Sequence, residues 1–511
     1  MENKSKEKAP LMDRFLTALE EAGNKICDPV TIFVVIIGVF MLVSALMTAT
    51  GVEAVHPGNG NIYTANNLLS KDGLRWMLSN VSTNFQNFPP MAQVLIVMLG
   101  VGVAERTGFL SNVLSTLTTK VPRNLVTISL AFIGMNAVAA GDSGPIVLPP
   151  LGAAIFFSLG RNPIAGLVLS YASVTVGFAA CSIVQMGDVI ASGFTIPAAQ
   201  IMDPNFTASP AMNYYFMAAS SVVLAFVLTF VNNKIVEPRI NKIMKIETTE
   251  ADAAQVKDPK EADALKKAGL VMLAMIVILA LLCFGNDPFM AEPGGSVLDS
   301  TSPLMKGIVP LITLLFLIPG VVYGVIMGKI KNDKDLVGLM ADSIRTMGGY
   351  LVIAFAASQL IGIFSYSNLG VIVAIKGAEF LNAIGLKGVP LMIMFILITF
   401  FIDLFLGSAG AKWAIMAPIF VPMFMLMGYH PSFTQLIYRV GDSLANGITP
   451  LASALPLVLA YATKYNKKFG LGSLMSNVLP YVFVVSIVWV IMIAIFMIFN
   501  LPIGPTGRIY L

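Results

Sequence analysis

Six ionisable side chains stand inside otherwise apolar sequence: Asp142, Asp188, Asp403, Lys412, Arg439 and Asp442. An ionisable group in hydrocarbon costs several kcal/mol, on the order of 3, and is kept where it faces a partner or a water-filled cavity. Each type offers a chemistry. A desolvated carboxylate can carry a proton or ligand Na⁺, and Asp188 is the best placed to do either. Asp142, at a small-residue tip with Ser143, can do the same. Arg439 and Asp442 are three apart and share a helix face. They form an internal salt bridge, or Arg439 binds an anionic substrate. Lys412 either snorkels to the outer interface or works on the substrate side beside Trp413, with Ser408 and Gly410 just before it. In the run Thr449–Pro450 the proline has no N–H and helps to interrupt a helix, as a binding feature or as a packing kink. Any Na⁺ is expected near Asp142, Asp188, Cys181 and Thr449. No metal site is assigned: three cysteines (Cys27, Cys181, Cys283) without a CxxC pair or a His/Cys cluster make a structural metal or a disulfide framework an unsuitable reading.

These residues must be positioned by membrane helices. Of 511 residues 56% are hydrophobic and 12% charged, and the mean hydropathy is +0.81. A soluble globule of this size could not hide so much apolar surface, which excludes soluble enzymes and nucleic-acid readers. Runs of about 20 apolar residues predict spans near 29–50, 89–105, 163–195, 212–232, 267–284, 304–326, 347–365, 431–462 and 474–500. Two further stretches, 124–160 and 389–428, are broken by AAGDSGP (139–145) and GSAGAKW (407–413). Each reads as a re-entrant hairpin, the alternative being two ordinary spans. Helices are expected to begin after the tips, at Gly144 and at Lys412–Trp413, with N-terminal N–H groups suited to an anion.

The two stretches repeat. At an offset of 268, Pro150 falls on Pro418, Gly160 on Gly428 and Pro163 on Pro431, and the break GFAACS (177–182) falls on ANGITP (445–450). With these spans, 24 Lys and Arg lie on one side and 6 on the other, so the richer side is cytoplasmic. The first hairpin then opens inward and the second outward. The expected fold is an all-α polytopic membrane protein with nine transmembrane helices plus two re-entrant hairpins, in inverted repeats with broken helices. Such repeats mark secondary transporters. The expected organisation is an N-terminal cytoplasmic segment (1–28), scaffold helices with an outer loop (29–123), a first transport unit (124–195), scaffold with a solvated linker at 234–267 (196–388), a second transport unit (389–462) and a final helix with the C-terminus (463–511).

Other motifs carry little. GVGVAERTG (100–108) lacks the strand a nucleotide loop needs, and no Walker motif is present. His56 and His430 are expected to be structural, and the Met-rich PMFMLMGY to be packing. No nucleophile–base pair lies at depth, so no enzyme is expected.

The chain resembles the AbgT family, named for p-aminobenzoyl-glutamate uptake. The likeness runs through GNKICDPVTIFV (23–34), NNLLSKDGLRW (66–76), GVGVAERTG, SLGRNPIAGL (158–167), AKWAIMAPIFVPM (411–423) and YRVGDSLANGITPL (438–451). It implies a homodimer in the bacterial inner membrane with a cytoplasmic N-terminus. It also implies no cofactor, a coupling H⁺ or Na⁺, contact with membrane lipid, and a small anionic substrate: p-aminobenzoyl-glutamate or a related acidic amide. For some members it implies export of sulfonamide antimetabolites. The family's site maps to Asp188, Trp413, Arg439, Asp442 and Pro450. Two positions depart from the family pattern: Gly410 where Ser is usual, and Cys181 where Asn is usual. Another dicarboxylate or a peptide-like anion is therefore the alternative substrate.

Overall fold

The computed structural model describes all residues except 1–28, 56–59, 120–121, 141–142, 244–258, 286, 300, 405, 407, 450, 451 and 453. Asp142, Pro450, His56 and Cys27 lie outside the described residues. Nineteen helices carry the architecture among those described. The first nine are α1 (Pro29–Thr50), α2 (Lys71–Gln86), α3 (Pro89–Arg106), α4 (Phe109–Thr119), α5 (Val126–Asn136), α6 (Ser143–Ser158), α7 (Pro163–Thr175), α8 (Met186–Gln200) and α9 (Tyr214–Val231). The linking helix is α10 (Pro259–Cys283). The last nine are α11 (Ile308–Ile326), α12 (Asp333–Arg345), α13 (Gly348–Tyr366), α14 (Leu369–Ala383), α15 (Gly388–Asp403), α16 (Ala409–Leu426), α17 (Pro431–Asn446), α18 (Leu455–Tyr465) and α19 (Leu471–Ile498). One short antiparallel ribbon, β1 (Glu53–Val55) with β2 (Ile62–Thr64), pairs Ala54 with Tyr63.

Eight described helices are long and apolar enough to cross a bilayer. One of them is α16, the second arm of a hairpin. The two remaining crossings are broken: α7 and α8 are separated by 176–185, and α17 and α18 by 447–454. Among the described residues these make nine crossings, with α5–α6 and α15–α16 as two hairpins, as the sequence predicts.

The repeat is larger than the hairpins that reveal it. Each of α1–α9 has a mate ten numbers on, and the packing is mirrored: α11 lies on α3 as α1 lies on α13, and α12 lies on α3 as α2 lies on α13. Likewise α6 packs on α7 as α16 packs on α17, and α16 meets α8 as α6 meets α18. The halves are therefore interlocked. Local chemistry repeats too. Gly160 and Gly428 both take left-handed backbone, φ 71° and 86°, which ends α6 and α16 where a Cβ would be strained. Asn162 and His430 then cap α7 and α17 through the N–H two residues on, at 3.0 and 3.2 Å, ahead of a proline at the first helical position.

The first halves of the broken helices form the centre. Every residue of α7 is buried, and its apolar composition matches that position. The helices α6 and α7 touch through glycines: a Cβ on Gly166 would sit 2.2 Å from the Gly152 carbonyl oxygen. In contrast α17 is buried from Pro431 to Ala445 although it carries Gln435, Arg439, Asp442 and Ser443. Buried polar groups on a central helix need partners, and they define the site.

Four helices were not foreseen. The outward faces of α2 and α12 are polar, so neither reads as a span, and α4 and α14 are too short for one. The linker expected at 234–267 is also less open than its charge suggests. Helix α9 continues through a π-turn (Asn232–Val236) and Glu237–Ile243, and α10 begins at Pro259. Glu237 takes both guanidinium ends of Arg161, at 3.0 and 2.5 Å, while Arg161 also donates to Thr127 at 2.7 Å. That tie fixes the base of the first hairpin to α9.

Candidate functional site

Asp188 lies in the first turn of α8, where the free N–H groups of a helix favour a carboxylate. The N–H of Gln185 donates to its Oδ2 at 2.8 Å, a capping arrangement that ends the break at 185. Its other oxygen is ion-paired with Arg439 Nη1. The expected intrahelical bridge between Arg439 and Asp442 is therefore not made. Arg439 reaches across to the first repeat, because a carboxylate at a helix start presents its oxygens better than one on its own helix.

Asp442 pairs instead with Lys412, 2.6 Å away, and Lys412 also pairs with Asp403. Lys412 is fully buried, which corrects the snorkelling alternative. The helix α16 starts earlier than predicted, at Ala409. Ser408 is its cap, accepting from the Ala411 N–H at 3.3 Å. Lys412 and Trp413 are thus inside the first turns rather than at the free end. Two ion-paired clusters thus lie along α17: Asp188 with Arg439, and Lys412 with Asp403 and Asp442.

Trp413 is fixed by two bonds, with Nε1–H shared between Ala191 O at 3.1 Å and Thr195 Oγ1 at 2.9 Å. Thr195 in turn donates to Gln435 at 2.6 Å, and Gln435 to Asn213 at 2.7 Å. The indole stacks on Tyr438 with ring centroids 4.3 Å apart, and Tyr438 donates to Ala409 O at 2.5 Å. A fully satisfied chain of this kind holds one rotamer.

These groups wall a cavity of about 410 Å³, within the roughly 300–1,000 Å³ of small-ligand pockets. Gly410, Trp413, Arg439, Asp442, Thr449 and Gln185 all line it. Among its lining residues, Arg439 Nη2, Gln185 Oε1 and the Tyr171 hydroxyl are buried without a protein partner. A buried donor left open costs about 1–3 kcal/mol, so these atoms point to a polar ligand.

The sequence-predicted residues thus come together in part. Asp188, Gly410, Lys412, Trp413, Arg439, Asp442 and Thr449 converge, whereas Ser408 does helix-capping and lies outside the cavity lining. Cys181, like Asp188 and Lys412, is not among the cavity's lining residues, but it lies near enough to Asp188 and Arg439 to feel their charges, with its Sγ 3.6 Å from Asn136 Oδ1. Asn136 also accepts from the Ser182 N–H at 2.9 Å, so an amide reaches this break from the first hairpin. Sequence reasoning missed Asn136, Tyr171, Gln185 and Tyr438. Only Tyr438, directly before the buried Arg439 in YRVGD, offered a signal.

A bundle of apolar spanning helices, inverted in two interlocked halves around a polar cavity at their broken helices, defines a multi-pass membrane transporter of small molecules. The chain belongs to the AbgT putative transporter family, whose model matches residues 14–511. It is 35% identical over 487 residues to the p-aminobenzoyl-glutamate transport protein of Escherichia coli K12, covering 95% of each chain. Two solved structures are similar throughout. The YdaH transporter of Alcanivorax borkumensis, described as having an unusual topology, aligns at TM-score 0.88 and 36% identity, over 93% of this chain and 100% of its own. MtrF of Neisseria gonorrhoeae, described as illuminating a class of antimetabolite efflux pumps, aligns at 0.89 and 39%, over 97% and 100%.

Proposed function

We propose that this protein is an ion-gradient-driven secondary transporter of p-aminobenzoyl-glutamate or a closely related acidic aromatic amide. The observation that carries the reading is the unpaired guanidinium nitrogen of Arg439, a residue that lines the cavity together with the Trp413–Tyr438 stack. Arginine takes a carboxylate in fork geometry, and the aromatic wall suits a benzoyl ring. The name of the E. coli relative supports the same substrate. The units 124–195 and 389–462 move the site across the membrane, and the remaining helices are scaffold. The coupling ion is H⁺ or Na⁺. Asp142 and Pro450 belong to the tip and break of these units.

Export of sulfonamide antimetabolites is a second reading, favoured by the description of MtrF and by the shared aminobenzoyl ring. A different dicarboxylate or peptide-like anion would use Arg439 without needing the aromatic wall. The excess of Lys and Arg on one side supports a cytoplasmic N-terminus in a bacterial inner membrane, and the homodimer rests on the family resemblance.

Purified protein in liposomes is expected to take up labelled p-aminobenzoyl-glutamate under an imposed proton or Na⁺ gradient. Absence of substrate-dependent flux under both gradients sinks the reading. Flux that competes with simple dicarboxylates as well as with aminobenzoyl compounds favours the alternative substrate.

A further inference from the structure

Asp403 and Lys412 each stand at the end of a helix that disfavours their charge. Asp403 is the last residue of α15, among free carbonyls, and Lys412 is in the first turns of α16, near free N–H groups. Neither charge helps its own helix. Both are fully buried, and Asp442 is 2% exposed. One ammonium from α16 is thus shared by carboxylates from α15 and α17, beside the point where the backbone leaves helical geometry between 403 and 409.

The other half of the molecule supplies the control. The offset of 268 carries Asp403, Lys412 and Asp442 onto Met135, Gly144 and Val174. Met135 and Val174 are buried and apolar. At these three positions the first repeat therefore carries no charge. The triad of one ammonium and two carboxylates is thus particular to the second repeat.

Breaks of this kind in transporters are where cations are held. We propose that the Lys412 ammonium is a tethered cation occupying the place of a free one at the second tip, so that this tip does not respond to Na⁺. Shortening Lys412 converts Asp403 and Asp442 into a Na⁺ site, because two buried carboxylates cannot stay ionised without a counter-charge. The inference rests on reading 389–462 as a transport unit, but its test needs no substrate and so fails separately from the substrate assignment.

The test compares melting of purified wild type, Lys412→Ala and Lys412→Ala/Asp403→Asn in NaCl against choline chloride at equal ionic strength, together with binding of radiolabelled Na⁺. The single variant is expected to gain several degrees in Na⁺ beyond any shift of the wild type, and to bind additional Na⁺. The double variant, short of one carboxylate, is expected to lose that gain. An equal Na⁺ response in wild type and Lys412→Ala overturns the proposal. So does a Lys412→Ala protein that responds to pH but not to Na⁺, because its carboxylates have then taken a proton. If Lys412→Ala cannot be recovered folded even in Na⁺ while Asp403→Asn/Lys412→Met can, the proposal is also overturned.

Discussion

Arg439 and Lys412 are both buried cations, but their surroundings differ. Lys412 is enclosed by its two carboxylates, whereas Arg439 has one carboxylate and leaves Nη2 without a protein partner. Replacing Arg439 by Ala strands Asp188 in the interior, which costs about 3–5 kcal/mol. A paired Asp188→Asn/Arg439→Gln variant is expected to recover melting temperature while transport stays lost, a split that liposome uptake and thermal melting read separately. Trp413→Phe keeps an aromatic ring but loses the indole N–H bonds to Ala191 O and Thr195, which retain each other as partners, for an expected loss of about 0.5–1.5 kcal/mol. His430 gives a pH dependence. Burial, helped by the Arg508 charge, lowers its pKa to about 4, against about 6.5 when unfolded. Its contribution is therefore complete above pH 6.5 and is lost as pH falls toward 4. His430→Asn keeps a helix-capping side chain, so its melting temperature is expected to fall less between pH 7 and pH 5 than that of the wild type. The charged members of the site were legible in the sequence because charge is rare in apolar runs. Their pairing was not: Asp188 and Arg439 are 251 residues apart, and no local spacing reports that contact. Gln185 and Tyr171 were hidden because neutral polar and aromatic side chains are common in membrane helices.

At the scale of elements, glycines set how closely helices approach. Gly441 on α17 lies against α15, and a Cβ there would fall 2.7 Å from the Ile396 carbonyl oxygen. Gly441→Val must push the hairpin away, which overpacking places at about 1–3 kcal/mol or more. Gly166→Val is expected to do the same between α6 and α7. Both are checked by melting in detergent, with Gly338→Val, on the open side of α12 where no atom lies within 4 Å, as the tolerated control. The hairpins and broken helices could be read from sequence because Pro, Gly and the repeat at 268 mark their tips. The helices α2 and α12 could not be read as part of the fold by hydropathy, since half of each surface is polar. Their role emerges only from the mirrored packing on α13 and α3. The start of α16 was misplaced by three residues because Ser408, and not the small-residue run, supplies the cap.

At the scale of the molecule, each half completes the other. The contact of Asn66 with the Tyr366 carbonyl, 2.7 Å across 300 residues, is one instance. Separately expressed halves cut within 244–258 are expected to copurify when made together and to be degraded when made alone, which a pull-down from membranes measures. Survival of either half alone as a folded, monodisperse product would contradict the interlock. The interlock also sets a timetable. At about 5–20 residues per second, α1 and α2 wait on the order of tens of seconds for α13 to be synthesised. During that interval the inserted first half holds unfinished faces against lipid, so a stalled ribosome late in the message leaves behind an orphan that the cell's membrane quality control has time to find.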